Sequence, residues 1–113
     1  MENVTDSNAK TAAIVSYITF IGWLISYFAL NKPKSSLANF HLRQSLFLMI
    51  CAVVFQIIAF TITIAIPFIG ILFSVASVGF IVLWVMGLIA AINGEEKPMP
   101  LIGEKAQELF KNL

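Results

Sequence analysis

A long stretch without charge constrains this chain more than any other feature. Residues 44–94 are 51 residues that include no Asp, Glu, Lys, Arg or His. As one helix, at about 1.5 Å per residue, the stretch would be roughly 75 Å long, whereas the hydrocarbon core of a bilayer is about 30 Å thick. Residues 67–70, Pro-Phe-Ile-Gly, favour a turn because proline lacks the N–H of a helix interior and glycine tolerates a reversal. We therefore predict a transmembrane hairpin with helices over about 44–66 and 70–92.

A second apolar segment precedes this hairpin. Residues 11–30 are 20 residues without a charged side chain, which is enough to cross a bilayer as a helix. Within the segment Ser16, Thr19 and two further polar residues recur at steps of three and four, so they share one face of a helix. Gly22 lies beside that face and allows close approach of a neighbouring helix. The sequence thus predicts a first span over about 11–30.

Polar and small side chains inside the apolar segments are typical of helix–helix contact in membranes. Amides and hydroxyls there form hydrogen bonds between helices, each contributing about 0.6–2 kcal/mol. No Asp, Glu, Lys or Arg lies inside a predicted span, which disfavours a proton pump or an ion-coupled transporter. The predicted interhelical packing residues are Ser16, Thr19, Gly22, Gln56, Ser74 and Ser77.

Composition and the C-terminal pattern complete the predicted fold class. Only 12% of the 113 residues are charged, about half the usual share of a soluble domain. Residues 101–113 place apolar and charged side chains on opposite faces of a short helix, which is typical of a helix at a membrane surface or on a partner. We predict an all-α integral membrane protein, a single domain over 1–113 with three transmembrane helices and this amphipathic helix.

Charge predicts the topology and the start of the second span. With three spans, the basic connector over 31–43 and the C-terminal tail share one side, which then holds six of the seven Lys and Arg residues, against Lys10 alone on the other. The positive-inside rule places the side rich in Lys and Arg in the cytoplasm. We expect a multi-pass membrane protein with its N-terminus outside and its C-terminus cytoplasmic. Ser36 is the predicted N-cap of the second helix.

The densest polar cluster lies where the second predicted span begins. Phe40, His41, Arg43 and Gln44 combine a base that changes charge near neutral pH, a permanent cation and an amide. One interpretation is contact with a partner protein or a lipid headgroup, or a polar gate. The alternative is an interfacial anchor, since Arg and His at the end of a membrane helix reach lipid phosphates or neighbouring loops.

Several classes of function are disfavoured by what the sequence lacks. A net charge of +1 leaves no basic stripe for nucleic acid. Cys51 is the single cysteine and His41 the single histidine, so we expect no disulfide, no metal site, no cofactor and no nucleophile–base pair. The expected partners are membrane lipids and either further copies of the chain or a larger membrane complex.

Four short segments carry a resemblance to a known family. The chain resembles small bacterial membrane proteins that are grouped as a domain of unknown function, that include the magnetosome protein MamF, and that are often labelled as similar to the import component of the chloroplast inner-envelope translocon. The resemblance extends from about Ala12 to Gly103, and its most specific part is Phe40-His-Leu-Arg-Gln-Ser. The other segments are Tyr17-Ile-Thr-Phe-Ile-Gly-Trp-Leu-Ile, Ile66-Pro-Phe-Ile-Gly, and Ile92-Asn-Gly with Pro100-Leu-Ile-Gly.

The resemblance implies a helical protein of the bacterial inner membrane and brings no catalytic residue with it. We therefore predict a non-enzymatic interaction or accessory subunit of a membrane complex. In the alternative prediction, several copies assemble into a channel lined by Ser, Thr and Gln, because three spans are too few to enclose a pore.

Overall fold

The computed structural model describes residues 2–31 and 34–112. Lys32 and Pro33 of the predicted connector, and Leu113 of the predicted C-terminal helix, lie outside the described residues. The regular elements of the described chain are all helical and include no strand, so the all-α prediction is confirmed for this part. Its elements are α1 (Glu2–Val15), α2 (Phe20–Ile25), a π-helical turn (Ser26–Leu30), α3 (Ser36–Ala65), a 3-10 turn (Pro67–Ile69), α4 (Gly70–Ile92) and α5 (Gly103–Leu109).

Helices α3 and α4 form a hairpin around the turn that the sequence predicts. Ile66 leaves the helical conformation, with φ −132° and ψ 83°, as expected for a residue that precedes a proline. Helix α3 begins earlier than predicted, and its N-cap is Ser35 rather than Ser36. The Ser35 hydroxyl accepts a hydrogen bond from the Ala38 N–H at 3.1 Å, which satisfies one of the free donors of the first turn.

The predicted first span is not one helix, so the prediction of a continuous helix over residues 11–30 is wrong. Helix α1 ends at Val15, and the chain turns over residues 16–19. The local cause is competition by hydroxyl side chains for backbone groups. The Ser16 hydroxyl donates to the Ala13 carbonyl at 2.7 Å, and the Thr19 hydroxyl accepts from the Gly22 N–H at 3.1 Å, which caps α2.

Beyond this turn, α2 and the π-helical turn fold back beside α1. The Ser26 hydroxyl donates to the Ala12 carbonyl at 2.8 Å, 14 residues back along the chain. A Cβ placed on Gly22 would lie 2.6 Å from the Val15 carbonyl oxygen, so the two segments also touch near the turn. Among the described residues, two helices are long and apolar enough to cross a membrane, α3 and α4. The three-span count is therefore not confirmed.

This return of the chain changes the relation between the two ends of the protein. The Lys10 side chain lies against the end of α4, where a Cβ on Gly94 would be 2.7 Å from Lys10 Cε. Lys10 and the C-terminal tail therefore lie at the same end of the molecule. The predicted placement of the two termini on opposite sides required a complete crossing between Lys10 and the connector. The structure has no continuous helix there, and the placement stays a prediction.

The core lies at this charged end, which we call the base. Its buried cluster joins α1, α3, α4 and the segment after α4 through Ala13, Tyr17, Leu48, Ala91 and Met99. The remainder of the hairpin, residues 53–82, projects from the base, and we call it the arm. Most large apolar side chains of the arm are exposed, for example Phe60 at 69% and Ile71 at 71%. Surface of this kind is stable in lipid rather than in water.

The C-terminal helix packs on the base instead of standing apart. It is shorter than predicted, and it lies along the first turns of α3. The Gln107 side-chain amide donates to the Phe40 carbonyl at 2.8 Å, and the Phe110 ring meets the Phe47 ring edge-on, with centroids 6.1 Å apart. Its apolar face is thus covered by α3 in part, while Leu109 remains 57% exposed.

Candidate functional site

A buried line of hydrogen bonds runs through the base and joins three segments. The Met99 N–H donates to Gln44 Oε1 at 2.7 Å, and Gln44 Nε2 donates to the Tyr17 hydroxyl at 2.7 Å. The Tyr17 hydroxyl lies 2.7 Å from His41 Nδ1, and His41 Nε2 lies 2.8 Å from the Glu95 carbonyl oxygen. We call these groups the base network. Its three side chains are buried, with Tyr17 1% exposed and His41 and Gln44 fully enclosed.

The partners at the two ends of the base network fix the direction of every hydrogen bond in it. The Met99 N–H can only donate, so Gln44 turns its oxygen to that group and its NH₂ to Tyr17. The Glu95 carbonyl can only accept, so His41 carries a proton on Nε2. Tyr17 already accepts from Gln44, and its own proton goes to Nδ1 of His41. The geometry therefore assigns a neutral imidazole with an unprotonated Nδ1.

The tyrosine hydroxyl is enclosed between its two partners. It accepts from Gln44 at 2.7 Å and lies 2.7 Å from His41 Nδ1, so its own proton is directed to His41. No group of the base network is free to act as a general base, since both ring nitrogens of His41 are engaged.

Two glycines allow the segments around the base network to approach one another. A Cβ on Gly87 would meet Met99 Cε and would lie 2.8 Å from Tyr17 Cε1. A Cβ on Gly103 would lie 2.6 Å from Gln44 Oε1. Because both positions are occupied by glycine, α4 and α5 reach the buried polar groups without displacing them.

Two indole N–H groups hold the turn over residues 16–19 and α2 against the hairpin. Trp84 Nε1 donates to the Tyr17 carbonyl at 2.7 Å, and Trp23 Nε1 donates to the Leu42 carbonyl at 2.8 Å. The Tyr17 carbonyl lies in the turn that interrupts the helix, whereas the Leu42 carbonyl also accepts from the Ser45 hydroxyl. These bonds fix the depth at which the turn meets α3 and α4.

The cluster at the start of the second predicted span lies inside the fold. Phe40, His41 and Gln44 are buried and use their polar groups within the chain. Arg43 donates from Nη1 to Gln107 Oε1 at 3.3 Å and from Nη2 to the Lys111 carbonyl at 3.2 Å, so it holds α5. Its Nε is buried and has no hydrogen-bond partner among the described residues. Contact of these four residues with a partner or a headgroup stays a prediction.

The predicted packing residues occupy three different surroundings. Ser16 and Thr19 form the turn after α1, and Gly22 packs on that turn. Gln56 and Ser77 are brought together across the arm, where Gln56 Nε2 donates to Ser77 Oγ at 3.1 Å. Ser74 is exposed on α4 and belongs neither to the turn after α1 nor to the pair formed by Gln56 and Ser77.

Sequence reasoning missed the central role of Tyr17 in the base network and the hydrogen bonds that Met99 and Glu95 contribute to it. The latter two contribute backbone groups, whose partners leave no trace in residue type. Tyr17 is separated from Gln44 by 27 residues, and no local spacing indicates their contact. Within residues 2–31 and 34–112, no group of three or more His, Cys, Asp and Glu side chains could hold a metal ion.

Comparison with known proteins places the chain in a family. The model of the magnetosome magnetite crystal formation protein family, MamF/MmsF, matches residues 7–105. The chain belongs to this family. The UPF0132 membrane protein MJ1527 of Methanocaldococcus jannaschii is 31% identical to it over 100 residues, which are 87% of this chain and 67% of that protein. No solved structure matches the chain.

Membership of the MamF/MmsF family confirms the resemblance to MamF-like proteins. The range matched by the family model contains every residue of the base network. Together with the two long apolar helices α3 and α4, membership identifies a membrane protein. The similarity to the chloroplast import component has no support from these comparisons and stays a prediction.

Proposed function

We propose that this protein is a non-enzymatic, self-assembling component of the bacterial inner membrane whose arm binds the arm of further copies. The observation that carries the proposal is the half-bonded amide of Gln56. This side chain is exposed on the arm, in a stretch without charged residues. It lies ten residues from Ile66 and twelve from Gln44, about 15 and 18 Å along the helix, which is close to the middle of a core about 30 Å thick.

The amide of Gln56 is incompletely satisfied within one copy. One N–H is donated to Ser77 Oγ, while the second N–H and Oε1 have no partner among the described residues. An unpaired amide is unfavourable in hydrocarbon, where no water can bind it. A second Gln56 amide offers one donor and one acceptor in return, so two copies related by a twofold axis complement each other.

The surface around Gln56 suits another helix. Gln56 lies between two open grooves, one of about 530 Å³ along α3 and α4 and one of about 500 Å³ along α3. The second groove is lined by Ala52, Val53, Ile57, Phe60 and Thr61 as well as Gln56. On α4, a Cβ on Gly79 would meet nothing within 4 Å, which leaves room for close backbone approach.

The non-enzymatic part of the proposal is supported by the state of the ionisable groups. His41 is the single histidine, and both of its ring nitrogens are bound within the base. The charge-free stretch over residues 44–94 brings no carboxylate to the arm. We also propose that the base faces the cytoplasm, because six of the seven Lys and Arg residues lie in its described part and the turn at the far end of the arm has none.

Self-association in liposomes tests the proposal. Two differently labelled pools of the full-length protein are reconstituted together, and energy transfer is measured as protein is diluted into lipid. We expect Gln56→Leu to weaken association about 3- to 30-fold, which corresponds to about 0.6–2 kcal/mol. Ile58→Leu is the matched control, since Ile58 is 50% exposed on the same helix, lines neither groove and carries no hydrogen-bonding group.

Two results would contradict the proposal. The first is a wild-type protein that stays monomeric at all dilutions, which would direct attention to a different partner protein. The second is equal association of wild type and Gln56→Leu. Ion or solute flux measured on the same liposomes tests the alternative of a channel, which requires the same assembly of copies.

A further inference from the structure

The segment over residues 16–30 is apolar enough for a membrane, yet it does not continue in one direction. Helix α1 and the π-helical turn lie side by side, joined by the hydrogen bond from Ser26 to the Ala12 carbonyl. At the charged end, Asn31 Nδ2 donates to Asn39 Oδ1 at 2.7 Å, which ties the end of the returning segment to the first turns of α3. The chain between Lys10 and Asn31 thus begins and ends at the base.

The tip of this segment lies beside the part of the hairpin nearest the base. The Tyr17 carbonyl accepts from Trp84 Nε1 at 2.7 Å, and a Cβ on Gly87 would lie 2.8 Å from Tyr17 Cε1. From Ile92, where α4 ends, Trp84 is eight residues back along the helix, or about 12 Å. One leaflet of the hydrocarbon core is about 15 Å thick. The contact between Tyr17 and Trp84 therefore lies within the leaflet on the side of the base.

Part of the backbone of the tip is satisfied within the protein, which hydrocarbon favours in an irregular segment. The N–H groups of Ser16, Tyr17 and Ile18 donate to carbonyls of the last turn of α1 at 3.0–3.1 Å. The carbonyl of Tyr17 accepts from Trp84, and the Thr19 hydroxyl accepts from the Gly22 N–H. These bonds reduce the number of unpaired amide groups that the turn carries into lipid.

The two faces of the returning segment differ in a consistent way. Three of its small and hydroxyl residues, Ser16, Gly22 and Ser26, are buried against the protein. Its outward face is made of large apolar side chains that carry no charge and are about half exposed or more. These are Ile18 55%, Phe20 48%, Ile21 70%, Leu24 49%, Ile25 48% and Phe28 61%.

We propose that residues 16–30 form a re-entrant loop that enters the leaflet on the side of the base, contacts its acyl chains, and returns to the same side. The protein then crosses the bilayer twice, through α3 and α4. Its N-terminus and its C-terminus lie on one side of the membrane, and that side is the one that carries the base. This arrangement is independent of self-assembly, because it is made within one copy.

Topology reporters on the full-length chain test the return of the loop. A reporter that is active only in the cytoplasm is fused to the N-terminus in one protein and to the C-terminus in another, in bacterial cells. We expect the two fusions to give the same result. Opposite results, as for a segment that crosses the membrane completely, would overturn the proposal without requiring any substitution in the chain.

Nitroxide labels test the contact with lipid. In a Cys51→Ala background, single labels replace Ile21 on the loop, Ile81 on α4, which is 58% exposed, and Lys111 on α5. In liposomes we expect dissolved oxygen to broaden the spectra of the labels at 21 and 81. A water-soluble nickel chelate is expected to leave these two spectra unchanged and to broaden the spectrum of the label at 111. Ile25→Cys provides a second loop position if Ile21→Cys folds poorly.

The possible outcomes are distinct. Access of the nickel chelate to the labels at 21 and 25 would place the outer face in water and overturn the proposal. Protection from both reagents would indicate that protein covers the face, and would overturn the contact with acyl chains. Protection from nickel with access to oxygen, together with matching reporters, is the expected result.

Discussion

The hydroxyl of Tyr17 lies 2.7 Å from Nδ1 of His41, although 24 residues separate the two along the chain. This bond connects the turn after α1 to the first turns of α3. Through Gln44 and Glu95 it also connects both to the segment after α4. Removal of the hydroxyl therefore acts on the whole base rather than on one contact.

Tyr17→Phe tests the value of that hydroxyl. The substitution leaves Nδ1 of His41 without a donor and one N–H of Gln44 without an acceptor, in a site that excludes water. Each unsatisfied buried group costs about 1–3 kcal/mol, so we expect a clear loss of stability in thermal unfolding of the detergent-solubilised protein. Tyr27→Phe is the control, because Tyr27 stacks on Trp23 and its hydroxyl has no partner among the described residues. Equal stability of the two variants would contradict the assigned network.

The tautomer of His41 gives a second, spectroscopic prediction. The base network requires a neutral ring with its proton on Nε2, since the Glu95 carbonyl accepts and the Tyr17 hydroxyl donates. In ¹⁵N spectra of the histidine-labelled protein near neutral pH, Nδ1 is expected in the unprotonated range and Nε2 in the protonated range. The single histidine makes the assignment unambiguous. A proton on Nδ1 would show that the direction of the hydrogen bonds is reversed.

The sequence was sufficient for the hairpin and insufficient for the base, for identifiable physical reasons. Pro67 and Gly70 act through the backbone of their own neighbourhood, so the turn can be read locally. Residues 11–30 have the length and hydropathy of a span, and those two properties do not distinguish one long helix from two short antiparallel ones. The deciding contacts are the local hydrogen bonds of Ser16 and Thr19 and the distant bond from Ser26 to Ala12.

The base network is harder to predict from the sequence than the turn over residues 16–19. His41 and Gln44 lie near one another on α3, so their spacing could suggest a shared face. Their partners are a tyrosine, a backbone N–H and a backbone carbonyl from segments far away in the chain. Side-chain type can indicate that a polar group needs a partner, but the choice of partner is made by the packing of α1 and α4 against α3.

Two glycine-to-alanine substitutions on α4 compare a position where a side chain would meet its neighbours with one where it would meet none. Gly87→Ala places a methyl group 2.8 Å from the Tyr17 ring, and that ring is held by two hydrogen bonds and cannot withdraw freely. We expect a loss of about 1–3 kcal/mol from overpacking. Gly79→Ala meets nothing within 4 Å, so the better helix propensity of alanine is expected to leave stability unchanged or raise it by up to about 1 kcal/mol. Unfolding of both variants in detergent provides the measurement, and destabilisation by Gly79→Ala alone would contradict the packing described.

The last prediction concerns the attachment of α5 to α3 by Arg43. The guanidinium donates to Gln107 Oε1 and to the Lys111 carbonyl at 3.3 and 3.2 Å. Its positive charge also interacts favourably with the negative, C-terminal end of the α5 dipole. Arg43→Met keeps a long apolar stem and removes these bonds. A loss of about 1 kcal/mol in local stability makes amide hydrogen exchange over Gly103–Leu109 about fivefold faster.

Lys105→Met is the matched control for that experiment, because it removes the same charge from an exposed position of α5 itself. We expect amide exchange over Gly103–Leu109 in Lys105→Met to remain near that of wild type. The faster exchange expected in Arg43→Met comes from the lost hydrogen bonds and not from the loss of a positive charge. Exchange over α4 serves as an internal reference in both variants. If Arg43→Met left exchange in α5 unchanged, the remaining contacts of Gln107 with Phe40 and of Phe110 with Phe47 would be sufficient to hold the helix. Faster exchange confined to α5 would instead show that Arg43 fixes the C-terminal helix to the base.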